Sequence, residues 1–216
     1  MFLSPSYQFL LFLYSSNSFH YIYVLYIYKE GTGFSLMDFL VKAAALAVRQ
    51  VPDANASWMD TFVRRYEQVD INLVMGSGIG MITPVIRDVG KKGIKALNTE
   101  MMALEDNLFA DKEGMVIKDA SLLAPGTMSI HNLGMYGIKS ASPIILPPQA
   151  VAMALGAVID TVIPNVYAKP GQDNWTVAPI MVVTLSCDHR VIDGAVAAQY
   201  LQGFKALVEN PAGMIL

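Results

Sequence analysis

The sequence predicts an α/β (α+β) protein in which β-strands form a sheet flanked by helices. Two patterns support this: short apolar runs rich in β-branched residues, and longer segments whose apolar residues recur at helical spacing. A third observation is size, because 216 residues (23.5 kDa) are enough for one domain with a substantial core. The predicted strands cover 69–75, 81–86, 128–133, 150–158 and 179–185.

Three helices are predicted from periodicity and from their boundary residues. Ser35 followed by Asp38 forms a capping box that begins the first helix, and Pro52 ends it. The second helix covers 95–107 and the third covers 195–208. Two predicted strands thus separate the first helix from the second, and three separate the second from the third.

A glycine-rich segment, GSGIG at 76–80, follows the first predicted strand. Its spacing fits neither the dinucleotide fingerprint nor the P-loop, and Pro84 stands where either motif requires a helix. The segment therefore predicts a hairpin turn rather than a phosphate-binding loop.

Charge and cysteine content exclude several classes of protein. The formal net charge is -3 and the pI is about 5.5, so the sequence offers no electrostatic basis for binding nucleic acid. One cysteine excludes an internal disulfide framework and is typical of a reducing compartment. The three histidines are widely spaced and form no metal-ligand pattern with it, so we expect no bound metal.

The chain is unusually apolar for a soluble domain. Only 15% of its residues are charged, against about 25% in a typical domain, which indicates apolar surface buried in an assembly or a membrane. Residues 1–28 contain no charged residue, but their apolar runs at 9–14 and 21–28 are each too short to span a bilayer. The second run favours a strand, and no signal or transit peptide can be recognised.

The segment LSCDHRVIDG at 185–194 contains the strongest candidate for a catalytic site. It places His189 and Asp193 four residues apart at the end of a predicted strand, a common position for a base that faces a substrate. An isolated HxxxDG match is more often a solvated ion-pair cluster followed by an N-cap aspartate. The clustering of Asp188, His189 and Arg190 at the end of an apolar strand favours the catalytic interpretation.

Four segments, in order, resemble the acyltransferase cores of the 2-oxo acid dehydrogenase complexes. They are FLVKAAALAVRQVPDANASWMD (39–60), GMITPVIRD (80–88), NLGMYGIKSASPIILPPQAVAMALGA (132–157) and TLSCDHRVIDGAVAAQYL (184–201). The resemblance covers roughly 34–216, which we interpret as the catalytic core domain. Residues 1–33 form an atypical apolar N-terminal segment, which we interpret as an incomplete or abnormal start of that core.

The resemblance implies a chloramphenicol-acetyltransferase-like fold, with a mixed β-sheet and flanking helices, that forms homotrimers. The implied reaction moves an acetyl group between coenzyme A and the dihydrolipoyl group of a lipoyl domain, in the core of the pyruvate dehydrogenase complex. No lipoyl domain is recognisable in this chain. The implied partners are lipoyl domains and the E1 and E3 components, around trimers joined into a cubic or icosahedral core. The implied location is the mitochondrial matrix in a eukaryote and the cytoplasm otherwise.

The resemblance also assigns roles to individual residues. His189 is the base that removes a thiol proton, and Asp193 belongs to the same site. The family's serine, which donates to the oxyanion, is replaced by His131, so that His131 or Ser129 would have to serve as the donor. Cys187 is interpreted as a small core residue rather than a nucleophile. The residues that contact coenzyme A remain unassigned.

Three alternatives stay open at this point. The first is a noncatalytic or impaired scaffold subunit, favoured by His131 and by the unusual N-terminal segment. The second is the acyltransferase of another 2-oxo acid dehydrogenase complex, which transfers succinyl or branched-chain acyl groups. The third is a membrane-anchored protein, which the interrupted apolar runs disfavour, so we expect no membrane association.

Overall fold

The computed structural model describes residues 6–13, 33–77, 80–109, 120–164 and 175–214, and within these ranges the chain forms three helices and nine strands. The helices are α1 (Leu36–Gln50), α2 (Ile94–Phe109) and α3 (Gly194–Glu209). The strands are β1 (Ser6–Leu13), β2 (Ala56–Trp58), β3 (Val63–Arg65), β4 (Ile71–Ser77), β5 (Gly80–Ile82), β6 (Val85–Ile86), β7 (Met128–Asn132), β8 (Val151–Pro164) and β9 (Trp175–Asp188).

Seven of these strands form one mixed sheet. Its order is β1-β9-β8-β7-β4-β5, and β6 also pairs with β4. The neighbours β4, β7 and β8 are parallel, whereas β9 is antiparallel to both β8 and β1. Parallel neighbours need a long crossover connection, and α2 lies in the one that leads to β7. The prediction of a mixed sheet with flanking helices is therefore confirmed.

The hydrophobic core includes alternate residues of the central strands, because successive side chains of a strand point to opposite faces. Ile130, Met153 and Leu185 belong to the core cluster together with apolar residues of all three helices. Ser129 and Ser186 stand at intervening positions and therefore lie on the opposite face of the sheet.

The boundaries of α1 follow the predicted signals. The Ser35 hydroxyl accepts a hydrogen bond from the backbone N–H of Asp38, and the Asp38 carboxylate accepts one from the backbone N–H of Ser35 (2.7 Å). The helix ends at Gln50, and Pro52 begins a short 3-10 turn. The capping box and the proline stop are both confirmed.

The last helix, α3, packs against α1. Tyr200 is fully buried between the helices and the sheet, and its hydroxyl donates to the backbone carbonyl of Ala44 (3.2 Å). Phe204, one turn later, is also fully buried. These contacts fix the direction of α3, whose first residue lies close in sequence to His189.

A separate two-stranded hairpin, β2–β3, lies between α1 and β4 in the chain. The buried side chain of Asn55 donates to the carbonyls of Tyr66 and Gln68 (2.9 Å each), and the N–H of Tyr66 donates to the carbonyl of Asn55 (2.9 Å). A two-stranded hairpin is only marginally stable alone, so these hydrogen bonds at its base are important for its rigidity.

The glycine-rich segment forms the predicted hairpin turn. β4 and β5 are antiparallel, and their register pairs Ser77 with Gly80. The two residues between them, 78 and 79, lie outside the described residues. The interpretation as a hairpin rather than a phosphate-binding loop is confirmed by this register.

Strands β8 and β9 extend further than the sequence pattern predicts. After an irregularity in register between Leu155 and Val158 they continue as a two-stranded ribbon to Pro164 and Trp175. Pro179, where the predicted strand begins, lies inside the observed β9, and proline is tolerated in an edge strand. Among the described residues, β1 pairs with β9 no further than Met181, so Pro179 lies where β9 has become an edge.

Other predicted segments agree with the structure or lie outside its described part. The predicted strand at 21–28 is not among the described residues, and neither are 110–119, which follow α2; 120–123 form a 3-10 turn. β1 overlaps the apolar run at 9–14. The second helix, predicted over 95–107, is observed as α2.

Candidate active site

His189 lies directly after β9, in a tight turn. The N–H groups of Val191 and Ile192 both donate to the carbonyl of Asp188, at 2.9 and 3.0 Å. The N–H of Asp188 donates in turn to the carbonyl of Ala150 in the neighbouring segment (2.8 Å), which holds the strand end in the sheet. The side chain of His189 is exposed. The predicted position, where a rigid strand ends and the chain turns, is confirmed.

The two neighbours of His189 form an ion pair that braces this turn. Arg190 Nε donates to both carboxylate oxygens of Asp188 (3.0 and 3.1 Å), and Arg190 Nη2 donates to Oδ2 (2.6 Å). Burial alone would raise the pKa of Asp188, but the hydrogen bonds and charge of Arg190 outweigh it and hold that pKa below its usual range. The pair therefore has a structural role in the turn.

Asp193 caps α3 and lines the same cleft as His189. Its Oδ1 accepts from the N–H of Val196 (2.8 Å), which confirms the predicted N-cap. The cleft has a volume of about 440 Å³. Besides His189 and Asp193, it is lined by Asp53, Ala56, Val63, Arg65, Arg190, Val191 and Val196.

One wall of this cleft was not found by sequence reasoning. It consists of the β2–β3 hairpin and the residues just before it, and it includes an ion pair between Asp53 and Arg65. These residues are more than a hundred positions from His189 and meet it only through tertiary packing. The sole available signal was that Asp53 and Ala56 fall within one of the segments that resemble the acyltransferase family.

Cys187 lies in the core rather than in the cleft. Its side chain is 1% exposed, and burial together with the charge of Asp188 raises the pKa of its thiol to about 11. The thiolate is the nucleophilic form, so a thiol with this pKa is unreactive at neutral pH. These observations support its interpretation as a small core residue.

His131 and Ser129 lie on the same face of β7, as predicted. Ser129 Oγ is 3.5 Å from His131 Nε2 and is buried, whereas the ring of His131 is half-buried. Burial lowers the pKa of His131, so the neutral ring is the favoured form at neutral pH. A neutral imidazole has one N–H donor and one acceptor nitrogen, so the pair could supply a single donor to a ligand.

The structure does not bring His131 and His189 together within one chain. His131 is level with Ala154 of β8, which is level with Thr184 of β9, five residues before His189. Five residues along a strand and two strands across the sheet correspond to a separation of roughly 15–20 Å. The base and the oxyanion donor suggested by the sequence therefore stand at opposite ends of the sheet.

Within the described ranges, no three His, Cys, Asp or Glu residues are grouped so that they could hold a metal ion. No helix in that part of the chain is both long enough and apolar enough to cross a membrane.

Comparison with known proteins decides the family. The sequence model described as 2-oxoacid dehydrogenases acyltransferase (catalytic domain) matches residues 27–216. The chain belongs to the 2-oxoacid dehydrogenase acyltransferase family. The family resemblance drawn from the four ordered segments is thus confirmed.

Relatives of this acyltransferase domain include proteins from eukaryotes and bacteria. One relative is the mitochondrial dihydrolipoyllysine-residue acetyltransferase component of the pyruvate dehydrogenase complex of Dictyostelium discoideum. It is 43% identical over 182 residues, which are 84% of this chain and 27% of the relative. The corresponding component of Rickettsia conorii is 39% identical over 191 residues, 87% of this chain and 43% of the relative. The chain therefore spans less than half of the length of either relative.

Solved structures confirm the fold of the acyltransferase domain. A probable dihydrolipoamide acetyltransferase from Listeria monocytogenes matches with a TM-score of 0.81 at 23% identity, over 95% of this chain and 85% of that one. The cubic core of a pyruvate dehydrogenase multienzyme complex gives 0.78 at 23% identity, over 99% and 85%. Chloramphenicol acetyltransferase gives 0.63 at 11% identity, over 95% and 89%. The expected chloramphenicol-acetyltransferase-like fold is present.

Proposed function

We propose that this chain is the catalytic core of a dihydrolipoyllysine-residue acetyltransferase. It moves an acetyl group between coenzyme A and the dihydrolipoyl group of a lipoyl domain, as the core of a pyruvate dehydrogenase complex. The observation that supports this most directly is the braced turn that presents His189 to a cleft shared with Asp193, in a chain of this family. Relatives that are about 40% identical and carry that name support the acetyl specificity.

In this proposal His189 acts as a general base. An ordinary thiol has a pKa of about 8.5 and is mostly protonated at neutral pH, so the attacking thiol must lose its proton to the imidazole. The thiolate sulfur then adds to the carbonyl carbon of the acetyl thioester, and the carbonyl electrons move to oxygen. Collapse of this tetrahedral intermediate expels the second thiolate, which takes the proton back from the imidazolium.

His131 is proposed as the donor to the oxyanion of that intermediate, with Ser129 as its support. When the Ser129 hydroxyl donates to Nε2, the neutral ring carries its proton on Nδ1, on the side away from Ser129. Ser129 is itself buried, so it is less accessible to a substrate than the half-buried ring. Asp193 is proposed to hold the loop and to stabilise the imidazolium of His189.

We further propose that each active site is formed by two chains of a homotrimer. The separation of His131 from His189 within one chain requires a neighbouring chain to complete the site. The segment after β7 exposes Met135, Tyr136 and Ile138, which is the kind of apolar surface that subunit interfaces bury. If the His189 end of each chain contacts the His131 end of the next, successive copies close into a ring of three when each is rotated by about 120° from the last.

Larger assembly and location are part of the same proposal. Trimers join into a cubic or icosahedral core that binds lipoyl domains and the E1 and E3 components. The chain acts in the mitochondrial matrix of a eukaryote or in the cytoplasm of a bacterium. One relative is named as mitochondrial, and another comes from a bacterium.

The proposal is tested by acetyl transfer from acetyl-CoA to dihydrolipoamide, after sedimentation has established the assembly state. Catalytic turnover by a trimer or a larger assembly is the expected result. A stable assembly with no transfer would favour the alternative, a noncatalytic scaffold. The observation behind that alternative is His131, whose ring stands where the family has a serine. A stable monomer would contradict both the assembly and the two-chain site.

A further inference from the structure

We propose that Trp58 is a positioning residue for His189 and that it acts through Arg190 and Asp188. The inference rests on the proposed function only in taking His189 as the base. Trp58 lies at the end of β2, more than a hundred residues before the turn, and it is not among the residues that line the cleft.

Arg190 connects the two elements. Its guanidinium carbon lies 5.5 Å from the centroid of the Trp58 ring, within the range of a cation–π interaction. The same guanidinium donates three hydrogen bonds to the carboxylate of Asp188. The hydrogen bonds to Asp188, and to a lesser extent the charge of Asp60, raise the pKa of Arg190. Arg190 is thus held between the end of β9 and the β2–β3 hairpin.

The hairpin is rigid enough to serve as a support. Its register pairs Ala56 with Arg65 and Trp58 with Val63, and Asn55 closes its base with two side-chain hydrogen bonds. Ala54, directly before Asn55, belongs to the hydrophobic core cluster, so the base of the hairpin is anchored to the body of the domain.

The consequence for His189 follows from its two neighbours. Asp188 precedes it and Arg190 follows it, and the backbone N–H of Arg190 also donates to Asp188 Oδ1 (3.0 Å). With the side chain of Arg190 stacked on Trp58, both peptide units that flank His189 are fixed, and so is the direction of its Cα–Cβ bond. Reacting groups that are misplaced by about 1 Å can lose about a hundredfold in rate, so this direction matters for the base.

The test compares three variants in the acetyl-transfer assay. Trp58→Leu is expected to lower kcat about tenfold while KM for dihydrolipoamide stays within about twofold, because the substrate contacts remain. Trp58→Phe retains an aromatic face and is expected to recover kcat to within about threefold of the wild type. Phe62→Leu is the matched control, since Phe62 is an exposed aromatic residue of the same hairpin, and it is expected to leave kcat unchanged.

The proposal is overturned if Trp58→Leu keeps kcat within twofold of the wild type, if it changes only KM, or if Phe62→Leu lowers kcat equally. Should Trp58→Leu fail to fold, Arg190→Lys replaces it, because lysine keeps the charge but loses the planar group that stacks on the ring. That variant must then show the same loss in kcat.

A further readout separates this proposal from the proposed function. If the wild-type chain transfers no acetyl group, the proposed function fails, and positioning is measured by modification of histidines with diethyl pyrocarbonate, resolved by peptide mass spectrometry. Trp58→Leu is expected to raise the modification rate at His189 about threefold, because a looser turn exposes both ring nitrogens, with no change at His131. Equal rates at His189 in the two proteins would overturn the positioning role.

Discussion

The turn that carries His189 is fixed by contacts within one chain, whereas the strand end that carries His131 is bordered by exposed apolar side chains. At the first, the Asp188–Arg190 pair and the N-cap of α3 hold the backbone on both sides of the base. At the second, the ring of His131 has the hydroxyl of Ser129 at 3.5 Å, and the next segment exposes Met135 by 76%.

This difference indicates that the two halves of the proposed site have different needs. A general base requires a defined direction, which local hydrogen bonds can provide before any substrate or partner arrives. An oxyanion donor is effective in a site that excludes water, and in the proposed trimer another chain would cover the apolar surface near His131 and exclude water from it.

The largest effect is expected at the His189 end. His189→Ala should lower acetyl transfer by about a thousandfold, since general acid–base catalysis contributes about 10²–10⁴-fold. The side chain is exposed and lies outside the hydrophobic core, so the free energy of unfolding should change by no more than about 1 kcal/mol. Enzyme assays and denaturant titration of the same preparation measure both quantities, and near-normal transfer would rule out His189 as the base.

Mixing two impaired variants tests whether His189 of one chain acts together with His131 of another. His189→Ala and His131→Ala chains, refolded together in equal amounts, should recover about a quarter of the wild-type activity, because random pairing joins the two intact residues at about one interface in four. Either variant refolded alone is the control. Failure to recover any activity in mixed assemblies would contradict a site formed by two chains.

An intermediate effect is expected at the His131 end. His131→Ala should lower turnover by about a hundredfold, the loss typical of one oxyanion donor, and Ser129→Ala should lower it by less than about tenfold, because Ser129 acts through the ring. His131→Ser tests whether a hydroxyl at this position can replace the imidazole. If none of the three variants changes turnover, neither residue is the donor.

A smaller effect separates the two proposed roles of Asp193. Asp193→Ser keeps an N-cap side chain but removes the carboxylate from the cleft, so it should lower activity while leaving stability nearly unchanged. Asp193→Ala should also lower the free energy of unfolding by about 1 kcal/mol, through loss of the cap. Thermal unfolding and turnover, measured on both variants, distinguish the two roles. If Asp193→Ser is as active as the wild type, Asp193 serves only as the N-cap of α3.

The smallest effect concerns the pH dependence of stability. The pKa of His131 is lower in the folded chain than its usual value of about 6.5, so the unfolded chain binds more protons between these two values. This contribution to stability is present above about pH 6.5, the pKa in the unfolded chain. It is lost as the pH falls through the lower pKa of His131 in the folded chain. The denaturant midpoint should therefore decrease on acidification, and less so in His131→Gln. An identical decrease in both proteins would contradict this source.

Local signals in the sequence predicted the elements that hold the base. The capping box at Ser35, the N-cap at Asp193 and the β-branched run before Cys187 each act within a few residues, so a single sequence shows them. The fold class follows from the same signals, because periodicity depends on neighbours along the chain.

Long-range features were not accessible in this way. The stacking of Arg190 on Trp58 and the separation of His131 from His189 depend on strand register and hairpin placement, which periodicity does not determine. The extension of β8 to Pro164 was not predicted for a related reason. Beyond the irregularity in register, apolar residues of β8 such as Val158 and Val162 are exposed, so hydrophobicity does not indicate which residues are buried.

The ribbon of β8 and β9 beyond that bulge bears on the fate of newly synthesised chains. Val162 and Trp175 are exposed by 64% and 53%, and among the described residues no third strand pairs with this part of either strand. Open strand edges with apolar side chains are templates for aggregation. If copies assemble as proposed, the yield of soluble protein should depend on whether assembly is faster than edge-to-edge pairing of these ribbons.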